Sequence, residues 1–140
     1  MKTYKEFYLS LTATAILCMF LVAFTYTPQV QKGAPWEVPA KFKNLKNPVK
    51  NTDQNKAGMA LWSEYCKSCH GVKGLGDGTK ARGLNTTVPS LTTEKFQGQT
   101  DGEIFYKFVY GRDEMPSFEK KINDDEDRWT LVNYMRSFKK

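Results

Sequence analysis

The chain has 140 residues, 40% of them hydrophobic and 26% charged, with a formal net charge of +6 and a pI near 9.2. That length holds one domain with at most an appendage and excludes a multi-domain enzyme. The basic balance invites a nucleic-acid partner until the charges are located: residues 1–52 carry seven lysines against Glu6 and Glu37, whereas residues 53–140 carry fourteen bases against thirteen acids. A nucleic-acid binder concentrates positive charge on its folded face, so none is expected here.

Residues 1–27 read as a signal or anchor segment. A basic start (Lys2, Lys5) precedes a run without charge from Phe7 to Gln31, longer than the ~20 helical residues that cross a bilayer. No small-x-small cleavage site follows before Pro28, so we expect an uncleaved anchor, with a cleaved export signal as the alternative. Lipidation at Cys18 needs a small residue where Leu17 stands. Residues 28–52 read as a tether: Pro28, Pro35, Pro39 and Pro48 alternate with lysines and asparagines, a composition that favours an extended, semi-rigid spacer. Trp36 and Phe42 are its only signs of docking.

Residues 53–140 read as the folded domain, and all its predicted elements are helical. Ala57, Leu61 and Tyr65 recur at helical spacing, with Gly58 and Trp62 beside them, predicting a helix over 56–68 that ends at a cysteine pair. Thr100 and Glu103 form a capping box that opens a helix to Tyr110, and Gly111 stands where the helix should close. Asn123 with Glu126 signals a third helix, whose first turn is acidic (Asp124 to Asp127), whose last turn is basic, and whose apolar face carries Leu131, Tyr134, Met135 and Phe138. Between them runs the glycine-rich stretch 71–78, too long for side-chain packing alone to order in so small a domain.

The missing centre is supplied by Cys66-Lys67-Ser68-Cys69-His70. Two thiols three residues apart can each add across a vinyl group of a haem, while the next imidazole binds the iron; this is the attachment spacing of haem c. Three alternatives compete. Structural zinc needs four ligands, and the chain offers only Cys66, Cys69 and His70 beside Cys18 in the leader. A redox dithiol needs an activated cysteine in a βαβ setting, and a disulfide at this spacing is awkward. His70 is the only histidine. Of the five methionines, Met1 and Met19 fall in the leader, Met59 on the first helix and Met135 on the apolar face of the last. Met115 stands in the loop Gly111 to Phe118, held extended by Pro116, and can present its thioether to a metal.

With Gly58-x-x-Leu61-Trp62, Cys66-x-x-Cys69-His70-Gly71, Gly74-x-Gly76-Asp77-Gly78, Pro89-x-Leu91, Asp101-Gly102-Glu103-Ile104-Phe105 and the Met115 loop, the chain resembles class I monohaem c-type cytochromes of the bacterial membrane-attached kind. The resemblance spans about residues 56–138. It implies an all-α small cytochrome c fold in which Gly58 and Trp62 meet Leu131 and Tyr134, and in which one covalent haem c has His70 and Met115 as axial ligands. It also implies that the Pro89 carbonyl accepts from the His70 ring, fixing its orientation. Thr79 stands where many relatives have proline.

Six strong ligands leave no vacancy for a substrate, so the expectation is an electron carrier between membrane respiratory complexes rather than an enzyme. The alternatives are a fixed haem subunit of one such complex, with Trp36 and Phe42 docking on a partner, or a sensor in which Met115 is unbound. Acidic residues at 113–114 and 124–127 point mildly to a basic patch on the partner. Lysines after the leader outnumber those before it, which by itself places the domain in the cytoplasm. Haem attachment takes place outside the cytoplasmic membrane, and we expect the periplasmic face.

Overall fold

The structure, a computed structural model, describes residues 35–50 and 55–139. Its helical elements are α1 (Ala40–Lys43), α2 (Asn55–Leu61), a π-helical turn (Trp62–Cys66), α3 (Lys67–His70), a 3-10 turn (Ala81–Gly83), α4 (Glu94–Gln97), α5 (Asp101–Tyr110) and α6 (Asp125–Arg136). Contacts divide the chain into Met1–Trp36 and Glu37–Lys140. The anchor expected over 1–27 and the Cys18 site lie outside the described residues. No helix among the described residues is long and apolar enough to cross a membrane.

Side chains start the two longest helices among the described residues. The Thr100 hydroxyl accepts from the Glu103 amide (3.2 Å) while the Glu103 carboxylate accepts from the Thr100 amide (2.8 Å), the predicted capping box. α5 closes at Gly111 with φ 68° and ψ 176°, backbone that a residue with a Cβ rarely adopts. α6 is capped by Asp124, one residue later than predicted: its carboxylate accepts from the Glu126 and Asp127 amides at 2.8 and 3.1 Å. Asn123 and Asp124 are both good caps, and Asp124 has the extended backbone that aims its side chain at the turn.

α2 crosses α6 at Gly58. A Cβ there would lie 2.7 Å from Tyr134 Cβ and 3.0 Å from the Thr130 carbonyl oxygen, so only glycine lets the backbones approach this closely. Trp62 packs on Tyr134 and Phe138 with ring centroids 6.1 and 4.9 Å apart. The expected crossing is present, with Thr130 rather than Leu131 against Gly58. Leu131 faces inward instead and, with Val132, is wholly buried; each such side chain contributes roughly 1.5–3 kcal/mol. α5 adds Ile104, Phe108, Val109 and Phe105, whose ring stacks on Trp129 at 4.3 Å. Arg136 binds α6 to the start of α5, donating to the Asp101 carboxylate (2.9 Å) and to the Gln97 and Gln99 carbonyls (2.7 and 2.6 Å).

The stretch read as a tether belongs to the domain from Glu37 onward. Val38 is buried. Phe42 of α1 packs on Tyr106 and Tyr110 of α5, and its carbonyl lies where a Cβ on Gly102 would be. Asn47 donates to the Trp129 carbonyl (3.1 Å) and to Asn133 Oδ1 (2.9 Å), while Asn133 donates to the Val49 carbonyl (3.0 Å). Composition alone reads Pro39 and Pro48 as breakers; in the fold they bracket a strap that side chains fasten at both ends. Asn133→Ala removes two partly buried bonds and should lower unfolding free energy by about 1–3 kcal/mol, measurable by urea titration.

Candidate haem site

The attachment residues sit where the first helix changes pitch. Over Trp62–Cys66 the backbone widens by one residue, with the Lys67 amide bonding to the Trp62 carbonyl, and then returns to α-helical turns through His70. The helix therefore continues past the cysteine pair to His70, beyond its predicted end. Such widened turns are rare and often lie at functional sites. Here the turn buries Cys66 beside Trp62, while Cys69 and His70 are half-buried on the following turn.

Both thiols are free. Burial above all, and the neighbouring Cys69 next, push the Cys66 thiol up to about 12. A thiol so placed is protonated at neutral pH, which is opposite to what an attacking redox cysteine or a zinc thiolate needs. Among the described residues no three His, Cys, Asp or Glu side chains converge on a metal position.

Burial lowers the His70 pKa below its usual value, so the ring is neutral and a lone pair is free for a metal. Its Nδ1 is buried and without a hydrogen-bond partner, a costly condition for a group that only the fold surrounds. The Pro89 carbonyl is thus not its partner here, and Pro89 itself is exposed. What fixes that segment is the glycine loop: Leu91 donates to the Gly74 carbonyl (2.7 Å), and a Cβ on Gly76, at φ 81°, would run into the Val88 carbonyl.

The loop leaving His70 doubles back along the helix end. Gly76, Gly78 and Lys80 amides donate to the carbonyls of His70, Cys69 and Ser68 at 2.9, 3.1 and 2.8 Å. Those are helix-end acceptors that would otherwise be orphaned. Trp62 Nε1 donates to the Gly71 carbonyl (3.1 Å) and its ring lies 5.8 Å from that of His70. The backbone around His70 is consequently held from three sides. A groove of about 310 Å³ opens along the same loop, lined by Gly76, Arg82, Leu84, Thr86 and Val88 among others, with none of the sequence-predicted ligands in its wall.

Met115 lies in a two-residue bridge: its amide and carbonyl exchange bonds with Arg112 at 3.0 and 2.9 Å. Asp113, at φ 54°, makes the turn. The half-buried Met115 side chain packs on the same apolar cluster that contains Cys66. Cys66 and Met115 therefore share one apolar cluster, and His70 lies beside its Trp62.

Sequence reasoning missed three features. The π-helical turn has no composition signal. Gln97, which donates to the Leu91 and Met135 carbonyls (2.8 and 3.1 Å), lies in a polar stretch with no periodicity. Glu114 reads as one of a pair of surface acids, yet it accepts four hydrogen bonds from Asn85 and Thr86. Those bonds, the Asn85 amide and the Thr86 hydroxyl foremost, hold its carboxyl below the usual range. The second acidic run is likewise occupied locally, by the Asp124 cap and an Asp125–Arg128 ion pair.

Two free thiols, a neutral buried imidazole lacking a partner and a thioether on a fixed turn match the donor set that haem c requires. A small helical domain with this site is a c-type cytochrome. The family model described as "Cytochrome C oxidase, cbb3-type, subunit III" matches residues 53–135, and the chain belongs to that family. Its cytochrome c domain carries one covalently bound haem c and is of the haem-based electron-transfer kind.

Among solved structures it is similar to a chain of the "Kuenenia stuttgartiensis reducing HAO-like protein complex Kustc0457/Kustc0458", at 32% identity and a TM-score of 0.59 over 69% of this chain and 50% of that one. It is also similar to the "KustC0563 c-type cytochrome", at 32% identity and a TM-score of 0.49 over 59% and 98% of the two chains. The chain thus spans half the length of the first of these. No curated protein matches.

Proposed function

We propose that the protein is a one-electron carrier with His70 and Met115 as the two axial ligands, held at the periplasmic face of the cytoplasmic membrane by residues 1–27 and working between membrane respiratory complexes. The observation that carries this reading is the buried His70 Nδ1, without a hydrogen-bond partner, immediately after two free thiols. When bound, the haem supplies a ferric–ferrous couple that changes oxidation state with little change in geometry.

The chain's own residues set the conditions. Cys66 and Cys69 keep the cofactor from dissociating. His70 offers a neutral nitrogen on a backbone locked by the Gly76 and Gly78 amides. Met115, a soft thioether, favours the ferrous state and closes the face on which a substrate would otherwise bind. That closure is why we read a carrier rather than an enzyme. Val72 and Leu75, exposed just beyond His70, are suited to the small, short-lived interfaces of redox partners.

A fixed subunit of a respiratory complex is the second reading, favoured by the oxidase-subunit description of the family. Phe42 no longer speaks for it, because that ring is engaged within the domain. The test is intact mass of the denatured chain together with ferric and ferrous optical spectra. Haem mass retained after denaturation is expected, and its loss in Cys66→Ser/Cys69→Ser. A weak red band from an iron–thioether bond is expected in the ferric protein. Ready binding of carbon monoxide by the unaltered ferrous protein would show an open site and sink the two-ligand reading.

A further inference from the structure

The turn that carries Met115 is fastened at its base and at its tip by different means. At the base, Ser117 Oγ and the Phe118 amide donate to the Val109 carbonyl at 2.7 and 3.0 Å, tying the chain to the end of α5. Within the turn, the Arg112–Met115 bonds close a ring around Asp113, whose φ of 54° is a left-handed backbone uncommon outside glycine. A strained turn persists only when something outside it holds it.

Glu114 supplies that hold. Its Oε1 accepts from the Asn85 amide (3.1 Å) and Asn85 Nδ2 (3.3 Å), and its Oε2 from the Thr86 amide (2.7 Å) and Thr86 Oγ1 (2.8 Å). Four donors fill the acceptor positions of one carboxylate, and each bond is charge-assisted. Asn85 and Thr86 belong to the segment that leaves His70 and runs back along the helix end. One carboxylate therefore joins the chain that follows His70 to the residue next to Met115.

We infer that Glu114 is a positioning residue, a latch between these two segments that keeps the Met115 thioether in place and sets how often it swings away. The inference rests on Met115 being an axial ligand. While the latch is shut, an outside ligand must wait for the turn to open, and its apparent affinity scales with the open fraction.

The experiment uses ferric holoprotein titrated with imidazole, a ligand that competes with the thioether, and follows loss of the red band. Glu114→Ala should raise apparent imidazole affinity by ~10-fold or more, with a thermal midpoint within a few degrees of the unaltered protein. Glu114→Gln, which keeps an acceptor oxygen without the charge, should fall between the two and serves as the readout where the alanine variant does not fold. Thr86→Val should shift affinity in the same direction by less, and its effect should largely vanish in the Glu114→Ala background, because the two share one interaction. Affinity in both Glu114 variants within about twofold of the unaltered protein, with the red band present in all, overturns the latch. A red band absent from the unaltered protein overturns the Met115 ligation and the latch with it.

Discussion

Met115→Leu is expected to leave the haem attached, abolish the red iron–thioether band, lower the reduction potential and turn a ferrous protein inert to carbon monoxide into one that binds it stoichiometrically. Leucine has nearly the volume of methionine, so the packing against the core cluster survives, with a stability cost under about 1.5 kcal/mol. What disappears is the sulfur lone pair. The loss of a soft donor removes the preference for the ferrous state, and the sixth position becomes available to small ligands. Optical spectra under carbon monoxide and a redox titration read both effects. An unchanged red band in this variant would mean that a group other than Met115 faces the iron.

The largest effect on stability is expected at Gly58. Alanine there would gain about 1 kcal/mol of helix propensity over glycine, but its Cβ would sit 2.7 Å from Tyr134 Cβ and 3.0 Å from the Thr130 carbonyl. Neither neighbour is a flexible tip: one is the root of a side chain and the other is backbone, so the helices themselves must part. Valine adds two methyl groups to that clash. Overpacking of this kind costs typically 1–3 kcal/mol, and with both helices displaced Gly58→Val should lose about 3 kcal/mol. At 4–8 °C per kcal/mol for a domain of this size, thermal unfolding of the holoprotein should fall by at least about 12 °C. A midpoint within a few degrees of the unaltered protein would show that the crossing can relax.

The residues that were legible in the sequence are those whose information is local. Cys66, Cys69 and His70 declare themselves within five positions, Thr100 and Glu103 within four, and Gly58 through its place on a helix that the resemblance pairs with the last one. The cap of α6 was misplaced by one residue because Asn123 and Asp124 offer the same chemistry, and only backbone conformation chooses between them. The strap was misread for a different reason. Asn47 and Asn133 are 86 residues apart, and a pair of amides at that separation has no signature in composition or spacing.

Glu114 shows the same limit at the site. Its partners at 85 and 86 lie in a polar stretch that reads as loop, so the carboxylate looks like surface charge until the two loops are seen side by side. The π-helical turn is harder still, since Trp62 to Cys66 contains nothing that forbids an ordinary helix. The expectation placed on Pro89 came from kinship rather than from its own surroundings, and those surroundings show Gly74 and Gly76 shaping the segment instead.

The strap over 37–50 changes where this protein can be cut. A fragment begun at residue 53, the edge of the family match, would lack Val38, Phe42 and Asn47. It would bare Gly102, Tyr106 and the Asn133 amide to water. A piece that keeps this surface must include the strap, so the functional edge of the domain lies well before the edge of the family match.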